Sequence, residues 1–231
     1  MTALVVAHGA TVDGGDPNCS DGIRACAERG IRWIEVDVRT LAGLAILGHD
    51  APSDGATAEP LTAVLDLFSS FGWVMLDLKE PDVAGVAADA VVQDAVENVV
   101  FASTHARDLK VVRSVMPSAR LSYSFPQDVP TVSQNPRWSW VVTSFLAICR
   151  LIMPIMLVYW TSRHRPSQFT LHWKTVSRFA FRTARALDRP VFVWTVDNPD
   201  DAARLIRDGA AGVITNRPLA VASRVSSSGA G

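Results

Sequence analysis

Cysteine is scarce and poorly spaced for structural use. Cys19, Cys26 and Cys149 are the only three, an odd number with no C-x-x-C pair. That spacing excludes a disulfide framework and a structural zinc, and a reducing compartment is the expectation. An excess of one charge is also lacking. Twenty-two Lys and Arg stand against 23 Asp and Glu, a net charge of −1. No global basic field is therefore offered to nucleic acid, although a local patch stays open. The chain opens Met1-Thr2-Ala3-Leu4-Val5-Val6-Ala7 and turns polar at His8-Gly9. It has no basic n-region, long apolar stretch or cleavage site there, so no signal peptide is read and a cytoplasmic protein is expected. No G-x-G-x-x-G follows the first apolar run, which argues against a dinucleotide site, and no internal repeat is visible. Apolar residues are plentiful at 48%, enough to exclude a disordered chain.

Short β-rich runs alternate with helix-like runs. Strands are expected at Leu4–Ala7, Trp33–Val38, Ala45–Leu47, Val74–Leu78, Val100–Ala102, Leu121–Phe125, Phe169–Leu171, Val191–Val196 and Gly212–Thr215. Between them, helical spacing is read over Ser20–Arg29, Leu61–Phe68, Val83–Val99, Leu109–Val115, Lys174–Leu187 and Pro199–Asp208. Strands separated by helices imply βαβ units and a parallel sheet. About eight such units suit a closed (β/α)₈ TIM barrel of the α/β class in one domain over residues 1–222. Ser223–Gly231 is expected to be a disordered tail.

Polar residues recur where these strands end. His8 follows the first strand. Glu35 and Asp37 lie two apart on the second, so both carboxylates share one face. His49-Asp50 follows the next short strand, and Asp77 and Lys79 repeat the two-residue spacing on the third long one. A strand interior rarely hosts a carboxylate unless that group is paired or bound to a metal. Carboxylates converging at a barrel mouth repel one another unless a cation neutralises them, and oxygen ligands suit Mg²⁺ or Ca²⁺ rather than zinc. Two histidines beside them suit proton transfer near neutral pH. With a lysine added, the set is consistent with phosphoester chemistry.

The order His8…Asn18…Gly30…Glu35-Val36-Asp37…His49-Asp50 resembles the glycerophosphodiester phosphodiesterases, whose pattern runs through His-Arg-Gly, Pro-Glu-Asn-Thr, Glu-x-Asp and His-Asp. Val74–Pro81 looks like that family's Glu-x-Lys strand, and Val191–Pro218 is similar to its closing segment. The resemblance covers about two thirds of the chain and fails between Pro126 and Ser167. It implies that Glu35, Asp37 and Asp77 bind a divalent cation, that His8 and His49 are the acid/base pair, that Lys79 contacts phosphate and that Trp194 lines the pocket. His172 stands where the family often places a substrate-side histidine. Attack by the substrate's own neighbouring hydroxyl, through a cyclic phosphate, is the implied route.

Four departures stand out. Gly9 takes the place of the family's arginine and removes a bidentate phosphate contact. Asp77 replaces a glutamate, a change shared with the related spider-toxin sphingomyelinase D enzymes. The Glu35-to-His49 spacing is one residue short. The segment Ala51–Trp73 is short as well, which implies an open mouth. Bland readings stand beside each role. His8 could cap a loop, Lys79 could pair with Glu80 or Asp82, and Trp194 and His172 could be core. Cys19 and Cys26 read as packing residues.

Trp138–Trp160 is apolar with one charge, Arg150, and one proline, Pro154. Trp138 and Trp140 flank one end, Trp160 the other, followed by Arg163 and Arg165. By length it resembles a membrane span, yet strands on both of its sides must close one barrel. Its exposed side then needs cover from a bilayer surface, a partner chain or the protein itself. Membrane docking through Trp138, Trp140, Trp160, Arg163 and Arg165 is one expectation, a buried or oligomeric helix another. The overall reading is a metal-dependent phosphodiesterase acting on glycerophosphodiesters or lysophospholipids. Its alternatives are a phospholipase D-type enzyme on membrane lipids and a catalytically weakened barrel that binds phospholipid headgroups at a membrane.

Overall fold

Hydrogen bonding between neighbouring strands decides the architecture. The computed structural model describes residues 4–12, 14–50, 58–127 and 139–228. Within them run strands β1 (Leu4–Ala7), β2 (Trp33–Leu41), β3 (Leu44–Leu47), β4 (Trp73–Leu78), β5 (Val99–Ser103), β6 (Arg120–Phe125), β7 (Gln168–His172), β8 (Val191–Trp194) and β9 (Gly212–Thr215). The sheet order is β1-β9-β8-β7-β6-β5-β4-β2-β3, and a further parallel pairing of β1 with β2 through Ala7 and Ile34 closes it. Eight strands pair in parallel. β3 alone is antiparallel, folded back on the overlong end of β2 as a hairpin over Val38–Leu47. The result is the expected TIM barrel, with β3 extending its rim rather than counting as a stave.

Seven helices lie among the described residues: α1 (Ser20–Glu28), α2 (Val83–Gln93), α3 (Ala106–Val115), α4 (Ser139–His164), α5 (Arg178–Ala186), α6 (Pro199–Asp208) and α7 (Pro218–Ser228). Local chemistry sets their starts. Ser177 Oγ accepts from Ala180 N ahead of α5, and Asn198 Oδ1 accepts from Asp200 N and Asp201 N ahead of α6, where Pro199 needs no donor. Gly209, at φ 123°, stops α6.

Several expected elements differ: the helix expected over Lys174–Leu187 is a 3₁₀ turn at Trp173–Thr175 followed by α5, and the strand expected over Val191–Val196 ends at Trp194. Leu61–Phe68 is two 3₁₀ turns, Leu61–Ala63 and Leu65–Ser70, whose steeper rise of about 2.0 Å per residue covers the barrel wall with fewer residues. α2 ends at Gln93 rather than Val99, because the chain turns left-handed at Ala95 (φ 52°) and Val99 is claimed by β5. The tail expected from Ser223 is helical to Ser228, since Val221 is buried and Val225 packs beside it one turn on. Residues 229–231 lie outside the described residues.

Alternation along β2 divides its side chains between two environments. Ile34, Val36 and Val38 are buried against the helices, while Glu35 and Asp37 point into the barrel. Below them the interior is apolar, filled by Val6, Met75, Ala102, Phe192 and Ile214.

α4 runs from residue 139 to 164 without a break at Pro154. Leu146, Cys149, Met153, Leu157 and Trp160 share its buried face. Trp160 is 6% exposed, its ring against Tyr123 (4.9 Å), Phe125 (5.2 Å) and Phe169 (6.1 Å). It anchors the helix to the barrel and is no docking residue, contrary to the expectation. Trp138 lies outside the described residues. Arg113 donates to the carbonyls of His164 and Arg165 and secures the helix's end. The chain returns to β7 at Gln168, directly beside β6. A bilayer crossing would leave those two paired strands on opposite sides of a membrane, so α4 does not span.

Gly212 shows how tightly the barrel closes. A Cβ there would lie 2.6 Å from the Leu4 carbonyl and 2.8 Å from the Phe192 ring. Gly212→Ala is expected to cost about 2 kcal/mol. A thermal melt should record this as a midpoint lowered by roughly 4–8 °C.

Candidate active site

Register brings the acidic residues together. β2 and β4 pair with Asp37 opposite Asp77, so two carboxylates sit side by side on adjacent strands, with Glu35 one pleat lower on β2. Their oxygens and that of Glu35 all lie within 4.8 Å of one another. Like charges placed so closely repel. Lys79, two residues beyond Asp77 on the same face, offsets this. Its Nζ lies 2.5 Å from Asp77 Oδ2, to which it donates, and 2.5 Å from Asp37 Oδ1 as an ion pair. It does not pair with Glu80 or Asp82. Burial opposes the Lys79 charge, but the carboxylates of Asp77, Asp37 and Glu35 outweigh it and hold the ammonium protonated well above its ordinary range.

The three acids differ in state because their surroundings differ. Burial first, and the neighbouring Asp37 second, push the Glu35 carboxyl well above the ordinary glutamate value. Asp37 is as deeply buried, yet Lys79 overcomes that burial and lowers it. Asp37 is also clamped by Asn18, whose Nδ2 donates to Asp37 Oδ2 (3.0 Å) while its Oδ1 accepts from Asp37 N (2.7 Å). Asp37 Oδ1 faces the Lys79 ammonium. Three carboxylates with oxygens within 4.8 Å of one another match the oxygen-ligand spacing of a hard divalent cation at about 2.0–2.6 Å per bond. The donor set fits such an ion.

His8 leaves the end of β1 on a short 3₁₀ turn, with Nε2 3.9 Å from Glu35 Oε2. Its Nδ1 meets Asn216 Oδ1 at 2.8 Å. Asn216 is itself oriented, since its N and Nδ2 both donate to Asp197, at 2.8 and 2.9 Å. With the amide NH₂ committed to Asp197, the oxygen faces His8 and can only accept. His8 therefore carries its proton on Nδ1 and turns an Nε2 lone pair toward the acids. Asp197 and Asn216 escaped the sequence reading. They lie after β8 and β9, in loops whose meeting depends on closure of the barrel.

His49 is exposed at the rim of the same cavity, on the loop after β3. Its Nδ1 is 3.1 Å from Asp50 Oδ1, and its carbonyl accepts from Arg39 Nε at 2.8 Å. Arg39 was also missed, although period 2 from Glu35 and Asp37 points straight to it. It bridges to Glu80, whose carboxylate accepts from Thr40 N and Thr40 Oγ1. His8, Glu35, Arg39, His49, Asp77, Lys79 and Trp194 line one cavity of about 240 Å³ at the C-terminal ends of the strands. His172 sits edge-on to Trp194 of that lining, ring centroids 5.3 Å apart.

Gly9 gains a structural explanation. It sits at φ 58°, its N donates to Glu35 Oε2 at 2.8 Å, and a Cβ would come within 2.9 Å of Pro17 Cβ. The left-handed turn and the packing of Pro17 leave no room for a longer side chain there.

The profile described as the Glycerophosphoryl diester phosphodiesterase family matches residues 97–220, which include Trp194 but not the acidic cluster. No curated protein matches the chain in sequence. Solved structures match nearly its whole length. An Oleispira antarctica phosphodiesterase in complex with the product sn-glycerol-3-phosphate aligns at TM-score 0.76 and 14% identity, over 97% of each chain. A glycerophosphodiester phosphodiesterase from Parabacteroides distasonis aligns at 0.73 and 16%, over 98% of each. One from Thermotoga maritima aligns at 0.61 and 18%, over 96% of this chain and 97% of that one. At these identities the alignments establish a shared fold.

The raised Glu35 carboxyl has a definite sign in stability. A group whose folded pKa exceeds its unfolded value stabilises fully below the unfolded value, about 4.3 for glutamate, and that contribution fades as pH rises through the folded one. In EDTA, the melting midpoint of the protein should therefore fall relative to Glu35→Gln as pH is raised from the ordinary glutamate range. Parallel pH profiles for the two proteins would contradict this.

Proposed function

The chain belongs to the glycerophosphoryl diester phosphodiesterase family, and we propose that it is a divalent-cation-dependent enzyme that uses His8 and His49 as its acid/base pair. The activity follows from membership: hydrolysis of a phosphodiester with glycerol on one side and an alcohol on the other. The observation that carries the finer reading is the mutual approach of Glu35, Asp37 and Asp77 within 4.8 Å. These three would hold the cation, Mg²⁺ or Ca²⁺ by their all-oxygen chemistry. When bound, that ion supplies Lewis-acid neutralisation of the phosphoryl oxygens.

This chain's own residues do the remainder. Lys79 adds a fixed positive charge beside the phosphate position, and Arg39 adds another on the same wall of the cavity. With its proton held on Nδ1 by Asn216, His8 offers Nε2 to take a proton from the attacking hydroxyl. That hydroxyl is the neighbouring glycerol hydroxyl or water. As the new P–O bond forms, the bond to the leaving alcohol breaks, and His49 supplies the proton that the departing oxygen requires. Attack from within the substrate gives a cyclic phosphate that water then opens to glycerol 3-phosphate. Trp194 forms an apolar wall for the glycerol or alcohol side, and His172 braces that ring. Arg39 and Lys79 together carry the positive charge that the family's arginine would have supplied at position 9.

A lysophospholipid is a second substrate class, favoured by α4. Phe145 of that helix meets Phe125 at 6.3 Å, next to Pro126 and Gln127 of the cavity wall. An apolar surface therefore begins where an acyl chain leaving the site would emerge.

Release of choline from glycerophosphocholine and from lysophosphatidylcholine should require Mg²⁺ or Ca²⁺ and stop in EDTA. His8→Ala and Glu35→Ala should each lower kcat by about 100-fold or more. Full turnover in EDTA, or in His8→Ala, would sink the proposed mechanism.

A further inference from the structure

The outward side of α4 is uncovered. Trp140, Ile148, Leu151, Ile155, Val158 and Tyr159 are all exposed, Leu151 at 80% and both Trp140 and Ile155 at 72%. At 3.6 residues per turn these six fall within an arc of about 100°. No charged residue shares that arc, since Arg150 and Arg163 fall on its flanks. An apolar face this wide is not left to water on a stable protein without a reason.

Charge identifies the occupant. Residues 129–187 contain no Asp or Glu but eight Lys and Arg. The rest of the chain holds the other fourteen and all 23 acids, so a protein of net charge −1 is strongly polarised. Of those eight, Arg150, Arg163, Arg165, Lys174, Arg178, Arg182 and Arg185 are described, and each is exposed. Arg178, Arg182 and Arg185 line one cleft between α5 and α6 together with Arg207, where Asp208 pairs with Arg178 at 2.6 Å. α5 packs against α4 and carries an exposed aromatic of its own, Phe179, at 66%. A second copy docked on this face would bring two basic surfaces together, and the repulsion opposes it. An anionic bilayer matches both features, accepting the apolar side chains among its acyl chains and the arginines at its headgroups.

We propose that α4 and the arginines of α5 form a docking face for membranes containing anionic lipid. α4 also packs against the 3₁₀ turn Trp173–Thr175, which follows β7 at the rim of the cavity. Docking therefore brings the mouth beside the lipid surface. This inference goes beyond the proposed reaction and does not depend on it.

Flotation of the full chain with extruded vesicles tests it. The protein is expected to rise with phosphatidylcholine vesicles carrying about 30 mol % phosphatidylglycerol and to stay below with phosphatidylcholine alone. The bound fraction should drop about tenfold in Leu151→Glu/Ile155→Glu and in Arg182→Glu/Arg185→Glu. Neither pair touches the cavity, so unchanged melting and unchanged hydrolysis of glycerophosphocholine should accompany the loss. Wild-type protein that fails to float with anionic vesicles overturns the proposal, as does flotation that either double variant leaves intact or equal binding to both vesicle types. Sedimentation velocity showing a dimer that Leu151→Glu/Ile155→Glu splits, without vesicle binding, assigns the face to a second copy and likewise overturns it. Flotation without hydrolysis would contradict the proposed reaction alone.

Discussion

Placing two carboxylates opposite each other on hydrogen-bonded strands, with a third one pleat away, is a constraint that the surrounding structure must answer. Asp37 and Asp77 share a register position in the β2–β4 pairing, Asp37 buried in the barrel and Asp77 half-buried in the cavity wall. Mutual repulsion at that range would open the strands unless positive charge or protons entered. Two answers are built in. Lys79 spans Asp37 and Asp77, while Glu35, without a lysine of its own, is driven toward its neutral form. Neither balances the cluster fully, because a single ammonium faces two aspartates. A site whose resting charges are imperfectly balanced is prepared to take a small hard cation.

The rest of the site is organised around that cluster from two directions. From the first loop, Gly9 N and the Asn18 amide grip Glu35 and Asp37 and hold their carboxylates at fixed angles. From the last two loops, Asp197 aligns Asn216, and Asn216 sets the tautomer of His8. The residues joined in this way come from opposite ends of the chain, and closure of β9 against β1 makes them neighbours. Small errors at that seam would reach the site directly, since Gly212 beneath it has no room even for a methyl group. The polar shell is thus coupled to barrel packing, and rigidity there serves the orientation of a proton acceptor.

α4 answers a different constraint. Its inner face carries Met153, Leu157 and Trp160 and is needed to cover β6 and β7. Its outer face contributes nothing to that core. The stretch 129–187 that contains it carries no Asp or Glu, so the chain's charge is polarised toward this basic, apolar flank.

Much of the fold was legible because period and punctuation agreed. Alternation in Trp33–Val38 and the Asn198-Pro199 start of α6 are local signals, and both elements appear as expected. The Leu61–Phe68 stretch misled because a helical apolar spacing does not distinguish an α-helix from 3₁₀ turns. Only the length of wall to be crossed decides between them. Trp160 misled similarly, since an aromatic at the end of an apolar run looks the same whether it faces lipid or Tyr123.

Glu35, Asp37, Asp77 and Lys79 were readable because two-residue spacing puts side chains on one face of a strand whatever the strand packs against. That much the amino-acid order determined alone: which groups share a face, and that carboxylates on buried strands require compensation. Which strands lie side by side, and therefore that Asp37 meets Asp77, that Asn216 turns its oxygen to His8 and that α4 keeps one face uncovered, was decided by closure of the barrel. Contacts between residues some two hundred positions apart depend on how every intervening strand pairs, and no local pattern contains that information.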